Sequence, residues 1–369
     1  MNSMIELPDS QWRSRFRRRL KTWFTKNARD LPWRETCDPY AVWVSEIMLQ
    51  QTQVETVKSY FARFMTELPT VGALADADEE RVLRLWEGLG YYRRARQLHK
   101  AAKVIVEEHA GKFPTDVESL QKLPGIGRYT AGAIASIAFD ERAPILEANT
   151  VRLFARLLAV REVPTSTPAQ KQLWAFAEAI LPKADIGHFN QALMELGALV
   201  CTPRAPACDA CPVMSLCPTF AQGLQDAIPA AKQKMQFEDV REAAVVIRRN
   251  GSVLLRRCCD GERWAGLWDF PRVSITGESN NDADEITAKV AGQIGAPIEL
   301  GQHLTTLKHG VTRYRITLTC YAGICSAKRF RGNGTEIRWI DVAELSSMPL
   351  STTGRKLAAL IDDVAATHE

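Results

Sequence analysis

No apolar run in this chain approaches the ~20 residues that a membrane-spanning helix needs, and its first residues carry no apolar signal core. These absences predict a cytoplasmic or nucleoid-associated protein of a reducing compartment, with no membrane partner. There is no internal repeat and no low-complexity tract. A disulfide framework is also missing: Cys37, Cys258, Cys259, Cys320 and Cys325 are scattered and odd in number. Strong charge of one sign is lacking too, since the net charge is only +4 over 369 residues. That length allows two or three domains, each with its own core.

The positive charge that is present is concentrated. QWRSRFRRRLKTWF carries Arg13, Arg15, Arg17, Arg18, Arg19 and Lys21 with no acid, and YYRRARQLHKAAK adds Arg93, Arg94, Arg96, Lys100 and Lys103. A polyanion would meet such patches, although either one alone reads first as a solvated helix face.

Four further cysteines, Cys201, Cys208, Cys211 and Cys217, share one short stretch, CTPRAPACDACPVMSLC. Clustered thiolates without a secretory signal read as metal ligands. An all-cysteine zinc site usually brings two CxxC knuckles, and only Cys208 to Cys211 forms one. A single loop with Pro212 and Pro218 after two of its thiolates suits a cubane iron–sulfur cluster better, with zinc as the alternative on spacing alone.

Apolar residues recur at helical spacing through VWVSEIMLQQTQVETVKSYFARFM, ARQLHKAAKVIVEEH, TVRLFARLLAV and QLWAFAEAIL, so residues 10 to about 220 read as helices. Residues 222–240 form a polar stretch expected to be a linker. Beyond it, AAVVIRRNGSVLLRRC predicts two strands about an Asn-Gly turn, and LTTLKHGVTRYRITLTCYAGIC two more about Gly310. Helices are expected over DADEITAKVAGQI and TTGRKLAALIDDV. The fold class is therefore multidomain: an all-α region followed by a separate α+β domain.

LPGIGRYTAGAIASIAF predicts a helix, a Pro-Gly-Ile-Gly turn and a second helix. Gly125 and Gly127 would let the backbone approach a phosphate at the free amides of the second helix, unless the segment is only a tight interhelical turn.

Together with the cysteine loop, LPWRETCDPYAVWVSEIMLQQTQV and GLGYYRRARQLHKAA, this hairpin resembles the MutY-type adenine DNA glycosylases of the endonuclease III superfamily. The resemblance runs from about residue 10 to 220, and the last domain is similar to the Nudix-like domain that this family appends. It implies a helical glycosylase region over 1–221, with a six-helix part near 30–137 and an iron–sulfur part from 1–29 and 138–221. The 241–369 domain would recognise 8-oxoguanine. It further implies a [4Fe-4S] cluster and a monomer acting on double-stranded DNA, where adenine paired with 8-oxoguanine or guanine is excised.

Cleaving an N-glycosidic bond passes through an oxocarbenium-like sugar, which calls for an acid at the leaving base and a carboxylate near the cation. By resemblance, Glu46 is the general acid. Glu147, in EANTVR, stands where the family has Asp in D-G-N-V, one methylene longer. Tyr129 occupies the position where bifunctional relatives place a lysine, which excludes a Schiff base and implies monofunctional hydrolysis. Tyr129 and Asn149 would line the pocket. Gln51 and Tyr91 match the family's wedging positions, and Arg34, Gly125 and Gly127 complete the implied DNA contacts. In many members a Phe-Ser-His turn meets the lesion; the corresponding stretch is Leu307, Lys308 and His309, in which only the histidine matches. GESNNDADEITAKVAGQIG lacks the metal-binding glutamates of Nudix hydrolases, so nucleotide hydrolysis is not expected. Two rivals remain: an endonuclease III-like glycosylase/lyase, and a weakened protein that binds the mispair without cutting.

Overall fold

The computed structural model describes residues 7–231, 236–276, 282–327 and 335–366. The chain forms two compact units, Met1–Asp76 with Gln97–Gln233, and Ala77–Arg96 with Lys234–Glu369. Its helices in order are α1 Ser10–Asn27, α2 Pro39–Leu49, α3 Val54–Glu67, α4 Val71–Asp76, α5 Glu79–Trp86, α6 Arg93–His109 and α7 Val117–Lys122. Then follow α8 Arg128–Phe139, α9 Ala148–Leu157, α10 Thr167–Ile180, α11 Ile186–Leu199 and the short α12 Pro218–Ala221. Among these helices none is long and apolar enough to cross a membrane.

In the first unit, α2 opens on Pro39, with the Asp38 carboxylate accepting from the Tyr40 and Ala41 amides, a polar cap that fixes where the helix starts. Every residue from Tyr40 to Met48 is buried, the polar Ser45 and Glu46 included, as expected of a helix enclosed on all sides. The helical spacing read from Val42 to Met65 belongs to two helices, because Gln51 takes the left-handed conformation (φ 58°) and breaks the run. Phe16, Leu20 and Phe24 of α1 share a core with Phe154, Phe176 and Leu193 of α9, α10 and α11.

The opening basic cluster is largely structural. Arg13 and Arg17 donate to the carbonyls of Ala179, Ile180 and Leu181 at the end of α10, where a cation offsets the helix dipole. Lys21 pairs with Asp185 at 2.7 Å, while Arg15 and Arg18 stay exposed. The expected linker 222–240 is shorter than its composition suggests. Ile228 is buried in the first unit's core, its carbonyl and that of Gln225 are held by Arg156, and β1 starts at Glu238. Residues 232–235 of that stretch lie outside the described residues.

The second unit holds a seven-stranded mixed sheet: β1 Glu238–Arg249, β2 Ser252–Arg257, β3 Trp268–Asp269, β4 Arg272–Ile275, β5 Glu299–Val311, β6 Tyr314–Ile324 and β7 Ile337–Asp341. The path runs β3-β2-β1-β6-β5, with β1 and β6 parallel, β4 on β1 and β7 on β2. The unbroken apolar run of β1 reflects burial on both faces. Ala243, Val245 and Ile247 pack with α13 (Asp282–Ile294), while Ala244 and Val246 pack with α14 (Thr352–Ala366). Arg249 opposite Ser252 closes the first hairpin, with Asn250 and Gly251 both left-handed, as the Asn-Gly signal requires.

The second hairpin departs from expectation. Gly310 lies within the ladder opposite Arg315, and the chain reverses at Thr312 (φ 54°) and Arg313. Leu307, Lys308 and His309 consequently sit in strand β5 opposite Leu318, Thr317 and Ile316, not in a turn. Continuous backbone pairing on both sides of Gly310 is satisfied only if the reversal comes later. Of the segment lacking the Nudix glutamates, residues 277–281 lie outside the described residues.

Candidate active site

A cleft of about 670 Å³ in the first unit is lined by Arg34, Glu46, Gln51, Tyr129, Glu147, Asn149, Met194 and Glu195, among others. Six of the residues singled out from the sequence thus meet in one place. Glu46 projects from the middle of α2 and is only 5% exposed. The Tyr129 hydroxyl, from the first turn of α8, donates to its Oε2 and lies 3.4 Å from Met194 Sδ. Burial pushes the Glu46 carboxyl up to about 7, and the nearby Glu147 adds to this, while the Tyr129 hydrogen bond and Arg34 pull the other way. A carboxyl poised there can both hold and release a proton near neutral pH.

Glu147 is the N-cap of α9. Its two oxygens accept from the Asn149 and Thr150 amides at 2.8 and 2.9 Å, and its own amide donates to Thr150 Oγ1. The extra methylene therefore does not leave the group loose. The carboxylate folds back onto its own helix terminus, where free amides favour negative charge. Burial raises its pKa, and the two amides with Arg152 oppose that rise.

Asn149 Oδ1 accepts from Arg152 Nη2 at 2.9 Å, and the same nitrogen reaches the Gly197 carbonyl at 2.6 Å. A side chain at Gly197 would lie 2.8 Å from Asn149 Cβ, so only glycine lets α9 and α11 approach this closely. Arg34 donates to Glu195 at 2.9 Å, and Arg29 grips the same carboxylate through its amide, Nε and Nη2. Sequence reasoning missed Glu195; its signal was an acid within the apolar spacing of HFNQALMELGALV, which places a charge on a buried face.

Gly125 (φ 75°) and Gly127, the N-cap of α8, form the α7–α8 turn outside the cleft lining. A Cβ on Gly125 would fall 2.6 Å from Gln97 Cβ, so the turn needs both the left-handed conformation and the missing side chain. Gln51 is exposed at the cleft. Tyr91 belongs to the second unit, in a turn after α5, with φ 49° and 52% of its surface exposed.

His309, Lys308 and Leu307 also lie in the second unit. His309 Nε2 is 3.4 Å from Arg272 Nη2, and its ring sits 6.2 Å from that of Trp264. Burial lowers its pKa, aided by Arg272. Leu307 packs on the sheet core, which leaves Lys308 as the exposed member of the three.

Cys201, Cys208, Cys211 and Cys217 line one small cavity of about 30 Å³ with Leu153, Leu157, Val200 and Val213. All four are free thiols. Burial raises the thiols of Cys208, Cys211 and Cys217, that of Cys211 to about 12, so these three are held as thiolates only beside a cation. Among the described residues no group of three or more His, Cys, Asp or Glu is arranged to hold a single metal ion. Four thiols from one loop converging on a common cavity are the donor set that an iron–sulfur cluster needs. Arg156, unremarked in the sequence, donates to Cys201 Sγ at 3.3 Å and to the carbonyls of Thr202, Gln225 and Ile228 at 2.8 Å each.

A buried, protonatable carboxyl lining a helical cleft, and a glycine hairpin in the same unit, suit a helix-hairpin-helix DNA glycosylase. Family comparison agrees: residues 44–179 match the HhH-GPD superfamily of base excision DNA repair proteins, 201–217 the iron–sulfur binding domain of endonuclease III, and 243–360 the NUDIX domain. The adenine DNA glycosylase of Mus musculus is 34% identical across 94% of this chain and 78% of its own. That of Buchnera aphidicola subsp. Schizaphis graminum is 38% identical, covering 69% and 74%. The chain belongs to the adenine DNA glycosylases, hydrolytic enzymes of base excision repair, and its cofactor is a [4Fe-4S] cluster. Among solved structures, a thermostable thymine-DNA glycosylase is similar at TM-score 0.53 and 28% identity, over 57% of this chain and 98% of that one. Endonuclease III in a non-covalent DNA complex, at TM-score 0.51 and 21% identity over 59% and 100%, shares the fold.

Proposed function

We propose that the enzyme excises adenine paired with 8-oxoguanine, or with guanine, from duplex DNA, working as a monomer on the nucleoid. The observation that carries this reading is the buried Glu46 carboxyl, held near pKa 7 and bonded to Tyr129 in a cleft that Glu147 also lines. Glu46 protonates the departing base, and Glu147, fixed by two amides, stabilises the sugar cation. Tyr129 keeps the Glu46 carboxyl in place and, having no amine, forms no Schiff base. Asn149 and Arg34 line the pocket around the flipped nucleotide. The Gly125–Gly127 turn receives a phosphate, and Gln51 and Tyr91 fill the gap in the stack. Lys308 and His309 meet the lesion, and Cys201, Cys208, Cys211 and Cys217 hold the cluster.

The test is single-turnover base release from duplexes carrying 8-oxoguanine:adenine, guanine:adenine, thymine:adenine or an oxidised pyrimidine, each with and without borohydride. Release of adenine from the first two without a trapped adduct supports the reading. Cutting at the oxidised pyrimidine with a trapped adduct establishes the lyase alternative instead.

A further inference from the structure

Residues 77–96 belong to the same compact unit as the β-sheet domain, and the side chains show what holds them there. The acids of α5 and its cap each meet a donor from that domain. Glu79 Oε1 accepts from Arg257 Nη2 at 3.0 Å, and Glu80 Oε1 from Trp268 Nε1 at 2.9 Å. Glu87 accepts on both oxygens from Arg355, through Nε at 2.7 Å and Nη2 at 3.1 Å. Arg355, on α14, is itself fixed by the carbonyls of Leu345 and Met348 at 2.6 and 2.5 Å. A two-pronged guanidinium with its other donors already taken defines both the position and the angle of the carboxylate it holds.

Glu87 is the C-cap of α5, and the next residue starts the turn that presents Tyr91. In that turn Gly88, Gly90 and Tyr91 all have positive φ, of 98°, 72° and 49°. Trp86 Nε1 bonds the Gly90 carbonyl, and Arg94 bonds the carbonyls of Leu89 and Gly90 beneath the Tyr91 ring. A non-glycine residue persists in the left-handed region only where its surroundings over-determine it. Those surroundings hang from the end of α5, which Arg355 grips.

We infer that Arg355 is a positioning residue for Tyr91, so that the wedge is carried by the lesion-reading unit through the Arg355–Glu87 pair. The inference deepens the proposed function and rests on its reading of Tyr91 as a wedge. Base-pair opening by Tyr91 is then tied to how the C-terminal domain is seated on α5.

The test uses the full chain with its cluster and an 8-oxoguanine:adenine duplex carrying 2-aminopurine beside the 8-oxoguanine, read at saturating protein so that affinity does not enter. Binding of the natural protein unstacks the probe and raises its fluorescence, and Tyr91→Ala removes that rise. Arg355→Met and Glu87→Gln are each expected to lose about half of the rise or more, and Arg355→Lys to lose part of it, because lysine cannot supply the two-pronged contact. If Arg355→Met does not fold, the isosteric change Glu87→Gln, at the half-buried end of α5, decides. A full rise in both Arg355→Met and Glu87→Gln overturns the inference. A full rise in Tyr91→Ala sinks the wedge reading, and the inference with it.

Discussion

Tyr129 Oη donates to Glu46 Oε2, joining the first turn of α8 to the middle of α2 at the cleft. The bond favours the ionised carboxylate, and burial of Glu46 works against it more strongly, which leaves the group at about 7.

The sign of the resulting pH dependence follows. Between about pH 4.5 and 7 the folded state keeps a proton that the unfolded chain has released, so stability falls as pH rises through that window and stays lowered above it. Glu46→Gln removes this cost, and we expect it to stabilise the protein at pH 8 by on the order of 3 kcal/mol, with little difference at pH 4. Denaturant unfolding at the two pH values checks this. In the natural protein, single-turnover adenine release should decline above about pH 7 as the acid loses its proton. An equal stability change at both pH values would contradict the account.

Glu195 has the opposite sign. Burial pushes its carboxyl up, but the hydrogen bonds from Arg29 and Arg34 outweigh it and hold the group at about 2. Its contribution is present above the ordinary carboxylate pKa, near 4.5, and is lost as pH falls toward 2. Glu195→Gln leaves two arginines around a neutral partner and should cost about 3–5 kcal/mol in denaturant unfolding at pH 7. An unchanged unfolding midpoint would show that the pair does not bear on stability.

Arg156 links the cluster loop to the chain that follows it, through Cys201 Sγ and three carbonyls. Arg156→Met should leave several of these buried acceptors unpaired, at about 1–3 kcal/mol each. We expect a purified protein with clearly reduced iron per chain and weaker visible absorbance from the cluster. A full iron complement would mean that the four thiolates need no help from this side chain.

Much of the fold was legible because its signals are local. The Asn-Gly turn, the apolar run of β1 and the Asp38-Pro39 helix start each carry their cause within a few residues. The second hairpin was misplaced because Gly310 looked like the reversal, whereas the turn uses a left-handed Thr312. The opening basic cluster shows only its charge in the sequence, because the carbonyls that Arg13 and Arg17 meet lie far along the chain, at the end of α10. The partners of Glu195 are equally remote in sequence, so its acid could be seen but not its pairing. Glu46 illustrates the same division. Its local sequence is that of any helix glutamate, and only the fold brings Tyr129 to its Oε2 and encloses it.

The most direct test of the two-carboxylate account is single-turnover adenine release from an 8-oxoguanine:adenine duplex by the natural protein, Glu147→Gln and Glu147→Asp. The account predicts release by the natural protein and a loss on the order of a hundredfold or more in Glu147→Gln, because the cation loses a placed charge. Tight binding without release by the natural protein, with release appearing in Glu147→Asp, would contradict it and show that the longer side chain leaves the site unable to cut.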